Sequence, residues 1–181
     1  MILLEPPFPF LPAEYRVRLA VEDWEREQCA QLRRLVFCAE QGLFDGDDHD
    51  QLDDCALPIA ALACVAGMPE QVVGTVRICE LEPGLWQGSR LAVHRDFRAV
   101  AWIGSELIRH AVGSARARGC TRFLAHIQQQ NVGLFRRLHW ESLDELMLHG
   151  RPHRLMQADL AHYPSRPQAE VPFVVSVRSA A

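Results

Sequence analysis

The stretch Leu91–Glu106, LAVHRDFRAVAWIGSE, carries the most chemistry per residue in this chain. A strand-like run ends at Val93, an arginine-bearing turn follows, and a long helix begins beside Gly104. A helix start offers unpaired backbone N–H groups and the positive end of a dipole. Gly104 permits close approach to that backbone, and Arg95 and Arg98 add charge. Such a place suits a pyrophosphate. It equally suits a plain strand-to-helix turn with solvated arginines, and the local sequence leaves both readings open.

Candidate proton acceptors lie on either side. Glu40 and Glu80 are carboxylates that could take the proton an amine must lose before it attacks; His94, at the end of the strand, could serve instead. Each could also be a solvated surface group. Arg77 and Arg90 fall on neighbouring strands and could pair with acids across the sheet or bind an acidic part of a substrate. Between Asp45 and Asp54 stand six aspartates and no arginine. The block reads as a solvated loop or as a rim that attracts a cation, with Asp50 and Asp53 its candidate contacts. It is not a calcium loop, since the sharp-turn glycine and closing glutamate are out of place. His149 and His153 have zincin-like spacing, but they flank a Gly-Arg-Pro turn rather than ride a helix, so no metal site is expected.

The elements that must position these groups follow from periodicity. Tyr15–Val21 alternates as a strand, and Glu22 and Asp23 open a helix whose apolar face holds Trp24, Leu32, Leu35, Val36 and Ala39. Leu57–Ala66 and Gln71–Leu81 form a hairpin about a turn at residues 67–70, and Ser89–Val93 is a short strand. Ala101–Arg118 is the best helix, with Ile103, Leu107, Ala111 and Ala115 recurring every four residues. Arg122–Gln128 is a strand, Val132–Leu138 a short helix, and Leu143–Leu148 and Arg154–Leu160 are strands. The order β-α-β-β-β-α-β-α-β-β predicts an α/β (α+β) mixed sheet with helices on both faces. Residues 1–14, with four prolines, predict an extended arm, 15–160 the domain, and 161–181 a peripheral tail. Phe8, Phe10 and Leu11 of the arm could pack on the domain or on a partner, and a homodimer is one expectation.

These motifs resemble a known family. VVGTVRI, LAVHRDFR, IGSELIRHAV, ARARGCTRF and NVGLFRRLHW together are similar to the Gcn5-related N-acetyltransferases (GNAT), from about Tyr15 to Leu160. NVGLFRRLHW with LHGRPHRLMQADL resembles the bacterial nitrogen-starvation N-acetyltransferase branch. The resemblance implies a splayed sheet and an acetyl-CoA co-substrate. The co-substrate would be held by Leu91 and Val93 on the strand, by Arg98, Ala101, Ile103, Gly104 and Ser105 at the turn and helix start, and by Asn131 and Phe135 beyond. It further implies direct attack by the amine of a small acceptor; the six-aspartate segment makes a cationic acceptor the expectation, with Glu80 or His94 as base and Glu40, Asp50, Asp53 and Arg77 at the acceptor. Two features depart from the family. The turn Arg98–Gly104 lacks the middle glycine and has one extra residue, and Phe135 stands where many members carry a tyrosine acid. Arg33, Phe37, Asp50, Asp53, Arg77 and the run Trp86–Arg90 also resemble acyl-homoserine-lactone synthases, although Gln87 replaces a usual glutamate. A non-catalytic acyl-CoA-binding domain is the third reading.

Composition narrows the field. All 19 basic side chains are arginine, which excludes a Schiff-base lysine and a phosphate-loop lysine. A net charge of -4 argues against a general nucleic-acid grip, and no apolar run reaches membrane-span length. The six cysteines are scattered and no signal peptide is apparent, so a reducing cytoplasm is expected.

Overall fold

A computed structural model describes residues 12–176. The expected Pro-rich arm lies almost wholly outside the described residues. Eight strands form one sheet: β1 (Glu14–Leu19), β2 (Leu57–Val65), β3 (Met68–Glu82), β4 (Leu85–Val93), β5 (Arg122–Gln128), β6 (Trp140–Leu148), β7 (Arg151–Ala158) and β8 (Phe173–Ser176). Their spatial order is β6-β7-β5-β4-β3-β2-β1-β8. All neighbours are antiparallel except β4 and β5, which run parallel because α2 (Trp102–Ala117) crosses between them.

Alternation along each strand divides the side chains between two cores. Ile59, Ala61 and Ala63 of β2 face α2, where Ile103, Leu107, Ala111 and Ala115 form the stripe expected from the sequence. Ala60 and Leu62 face the opposite helix, α1 (Asp23–Arg33), against Cys29 and Leu32. Gly74 marks how closely α2 lies on the sheet: a Cβ there would sit 2.8 Å from Leu107 Cδ1 and 3.0 Å from Ile103 Cγ2. The start of α1 is fixed by Glu25, fully buried, whose carboxylate accepts from the Val21 N–H at 3.0 Å and from Arg18.

Two expectations need correction here. The first helix does not run on regularly to Ala39. At Arg34 it widens into a π-helical segment, Arg34–Glu40, which turns Val36 and Phe37 inward and leaves Leu35 exposed; Trp24, in the first turn of α1, is exposed as well. The segment after 160 is not peripheral. Tyr163 and Ala169 are buried in the α2-side core, and β8 pairs with β1 through Glu14–Val17. Gly113 of α2 allows this, since a Cβ there would meet the Pro164 carbonyl oxygen at 2.7 Å. The sequence hides the arrangement because the partner of β8 is the first strand described. Among the described residues no helix is long and apolar enough to cross a membrane.

Candidate active site

The sheet opens where β4 leaves β5. Their parallel pairing covers only Leu85–Gly88 against Arg122–Ala125. Beyond Gly88, three residues of β4 span the space of two on β3: Ser89 lies opposite Arg77, and Ala92 lies opposite Thr75. This bulge places Arg90 at φ 56°, a conformation non-glycine residues seldom adopt. The bend turns β4 away from β5 and leaves a cleft of about 180 Å³. Ile108 and Ala111 of α2 line it on one side, and Phe37, Gln41 and Phe44 of the segment after α1 line it on the other. Asn131 and Phe135 add to the first wall, Leu148, His149 and His153 to the second. Phe135 belongs to α3 (Val132–Arg137), and its buried ring meets Trp140 edge-on with centroids 5.0 Å apart.

A three-on-three ion cluster braces the mouth. Asp48, 2% exposed, accepts from Arg33 Nε and Arg90 Nε, each at 2.8 Å. Asp50 accepts from Arg77 at 2.6 Å and from Arg90 at 3.1 Å. Asp53 accepts from Arg33 and Arg77, both at 2.6 Å. The Arg77 Nε also donates to Ser89 Oγ at 2.9 Å, so each nitrogen of that guanidinium, in a side chain 2% exposed, donates within the protein. Hydrogen bonds from Arg77 hold the Asp50 carboxyl below its ordinary range. Burial works against a charged Asp53, yet hydrogen bonds from Arg33 and from the Asp50 N–H hold it well below that range too. Arg90 alone of the three arginines reaches the cleft, its guanidinium 4.4 Å from the centroid of Phe44.

The six-aspartate block is therefore not an uncompensated rim. Arginines distant in sequence neutralise Asp48, Asp50 and Asp53, and Asp45, Asp47 and Asp54 are exposed, Asp47 with Arg34 3.8 Å away. The candidate contacts Asp50, Asp53 and Arg77 are brought together, but with one another and outside the cleft lining. Glu40 accepts from Arg98 at 2.6 Å, and Arg98 Nε donates to the Val93 carbonyl at 3.0 Å; the pair ties the π-helical segment to the turn after β4.

The expected bases also lie elsewhere. Glu80 is paired with Trp86 at the closed end of the β3–β4 hairpin, beyond the point where β4 and β5 part, and accepts from the Gly84 N–H at 3.0 Å. His94 caps the turn after β4 through the Asp96 N–H, again outside the cleft lining. The titratable groups in the cleft besides Arg90 are three histidines: His126, His149 and His153. Desolvation, followed by the neighbouring His153, lowers the His126 imidazole below its ordinary value. In the sequence only the spacing of His149 and His153 is visible; that β5 and β7 are neighbours is a tertiary fact no local pattern carries.

Of the residues expected to hold the co-substrate, Leu91, Asn131 and Phe135 line the cleft, whereas Val93, Ala101, Ile103 and Ser105 do not. Ile103 is fully buried against the sheet, and Ser105 Oγ donates to the Trp102 carbonyl at 2.9 Å. Their backbone is another matter. The first turn of α2 takes no side-chain cap among the described residues, and a Cβ on Gly104 would meet nothing within 4 Å. An uncapped helix start with one open face fits a phosphate group.

A sequence model of the acetyltransferase (GNAT) family matches residues 21–140. No curated protein matches the chain. Among solved structures, a Lactobacillus plantarum protein described as a candidate N-acetyltransferase is 18% identical, with a TM-score of 0.69 over 80% of this chain and 97% of its own. Escherichia coli ElaA is 16% identical, with a TM-score of 0.65 over 80% and 98%. TofI, solved in a ternary complex with an inhibitor and MTA, is 18% identical, with a TM-score of 0.59 over 84% and 97%. At these identities the three structures support the fold.

Proposed function

Because the chain belongs to the acetyltransferase (GNAT) family, we propose that it transfers an acetyl group from acetyl-CoA to the amine of a small acceptor by direct attack within the cleft. The observation that carries this reading is the parting of β4 and β5 after Gly88. From Ser89 to Val93 the edge of β4 no longer has β5 as a ladder partner, so its backbone groups are free to pair with the amides of an extended pantetheine arm. The uncapped start of α2 lies beyond the same strand end and suits the pyrophosphate. Acetyl-CoA supplies an activated thioester. The protein supplies alignment of the two reactants, dry walls from Phe37, Phe44 and Phe135, and N–H groups for the carbonyl oxygen.

The acceptor amine would enter from the side of Phe44 and His149, whose rings lie 4.6 Å apart. Asp50 and Asp53 would act indirectly, by holding Arg77 and Arg90 and so the shape of the mouth. Selection of a cation by the acidic block is not part of the proposal, because its buried members are already neutralised.

The ion cluster favours one second reading, an acyl-homoserine-lactone synthase-like reaction. Arg33, Asp50, Asp53, Arg77 and Arg90, the residues that resemble that family in sequence, meet in a single network. Gln87, at the lip of the cleft, stands in place of its glutamate.

One plate separates the readings. Purified protein is incubated with acetyl-CoA and a panel of small amines, and free thiol is detected; parallel wells hold S-adenosylmethionine with acylated carrier protein. Amine-dependent thiol release only with acetyl-CoA supports the first reading. Release only in the parallel wells replaces it with the second, and an acetyl-CoA-induced rise in melting temperature without turnover leaves a binding domain.

A further inference from the structure

We infer that His153 is the general base that deprotonates the acceptor amine, an assignment that rests on the acetyltransferase reading. Its place follows from strand register. His153 on β7 is directly opposite Gln128 on β5, and His126 lies two residues back along β5, so all three share one face of the sheet. That face carries the π-helical segment, since Gln128 Nε2 donates to Gln41 Oε1 at 2.9 Å and Arg151 donates to the Gln41 carbonyl at 2.6 Å. It is the side opposite α2, and hence opposite the helix whose start suits the phosphates. A base here meets an acceptor that enters from the far side of the sheet.

His153 is 7% exposed and lines the cleft. Its Nδ1 is 2.9 Å from the Arg151 carbonyl oxygen. A carbonyl only accepts, so Nδ1 must carry the hydrogen. The neutral ring then presents Nε2 as a lone-pair acceptor, and among the described residues Nε2 makes no hydrogen bond. A buried imidazole with a fixed tautomer and a free acceptor nitrogen is what a base requires. The other two cleft histidines are placed differently: His149 lies against Phe44 with the ring planes tilted by 58°, at a turn with φ 49°, and His126 is exposed.

The step balances. The ammonium of the acceptor gives one proton to Nε2, and from there it passes to water. The nitrogen bonds to the thioester carbon as the carbon–sulfur bond breaks, and the second nitrogen proton ends on sulfur as the free thiol. The titratable and charged groups that share the cleft with this ring are His126 from β5, His149 from the β6–β7 turn and Arg90 from β4, the last paired with Asp48; Asp144 of β6 and Arg151 of β7 lie on the same face of the sheet.

His153→Asn tests the assignment. Its amide can keep the donation to Arg151 while Nε2 is lost. With an amine that the wild type acetylates, kcat should fall by about 100-fold or more, with the acetyl-CoA KM unchanged. The acid limb of the wild-type pH–rate profile should disappear, and added imidazole should restore part of the rate. His153→Gln, a second substitution with no base, should behave alike, and melting curves show which variant is folded. A folded His153→Asn or His153→Gln protein with wild-type kcat and an unchanged pH profile overturns the role of His153 alone. A wild type that acetylates no amine overturns the acetyltransferase reading, and the base with it.

Discussion

Replacing Asp48 with asparagine should destabilise this protein more than any other single neutralisation in the acidic block. Asp48 bridges Arg33 and Arg90 through two Nε–H contacts of 2.8 Å, and its carbonyl oxygen also accepts from Arg90 at 2.9 Å. The cluster holds three arginines and three aspartates, so the substitution leaves one buried positive charge uncompensated. Breaking a buried pair in this way costs about 3–5 kcal/mol. For a chain of this size that corresponds to a fall in Tm of roughly 6–20 °C. Asp45→Asn is the control: Asp45 is exposed and has no ion pair among the described residues, so its variant should stay within about 0.5 kcal/mol of wild type. The cluster also has a pH signature. Asp50 and Asp53 ionise at lower pH in the folded than in the unfolded chain, so their contribution is complete above about pH 4 and is lost as pH falls further. Thermal melts at neutral pH decide the matter. An Asp48→Asn protein that melts within about 2 °C of wild type would refute the reasoning, because the pairs would then contribute no more than exposed ones do.

Gly104→Val should fold, since a Cβ there meets nothing, yet raise the acetyl-CoA KM at least about tenfold; isothermal titration with CoA checks it, and wild-type affinity would place the phosphates elsewhere. His110 donates through Nε2 to the Ala169 carbonyl and accepts at Nδ1 from Arg166, and burial lowers its pKa to about 4. The unfolded chain binds that proton near pH 6.5, so stability should be complete above about 6.5 and decline towards pH 4; His110→Gln should flatten the decline in melts across this window. Phe135→Leu should keep most of kcat, because the ring packs on Trp140 and has no proton to give; a loss of several orders of magnitude in a folded variant would assign it a part in the chemistry.

Local signals carried much of the fold. The stripe Ile103, Leu107, Ala111 and Ala115 and the strand Arg122–Gln128 are written in short-range periodicity, and both stand as expected. β4 was harder, because Gly88 interrupts its alternation; the strand begins at Leu85, ahead of the expected Ser89. Gly88 lies against Phe123, whose ring atom a Cβ would approach to 2.9 Å, at the last pair before the strands part. The candidate site was legible in its cleft-lining Leu91, Asn131 and Phe135 but not in its acid–base groups. The sequence puts Glu80 at a strand end, and only the register shows that the opening lies on the other side of Gly88. Asp48 and Arg90 meet across 42 residues of chain, and no local pattern announces such a pair. The π-helical segment was equally silent: it depends on how Val36 and Phe37 settle against the sheet, a tertiary choice that propensity does not record.

The central claim is that acetyl-CoA binds where β4 leaves β5, and amide hydrogen exchange with and without acetyl-CoA tests it most directly. Saturating acetyl-CoA should slow exchange at Ser89–Val93 and at the first turn of α2, residues Trp102–Ser105, while leaving the β1–β2 edge as it was. Unchanged exchange at both segments, or protection confined to other parts of the sheet, would contradict the account.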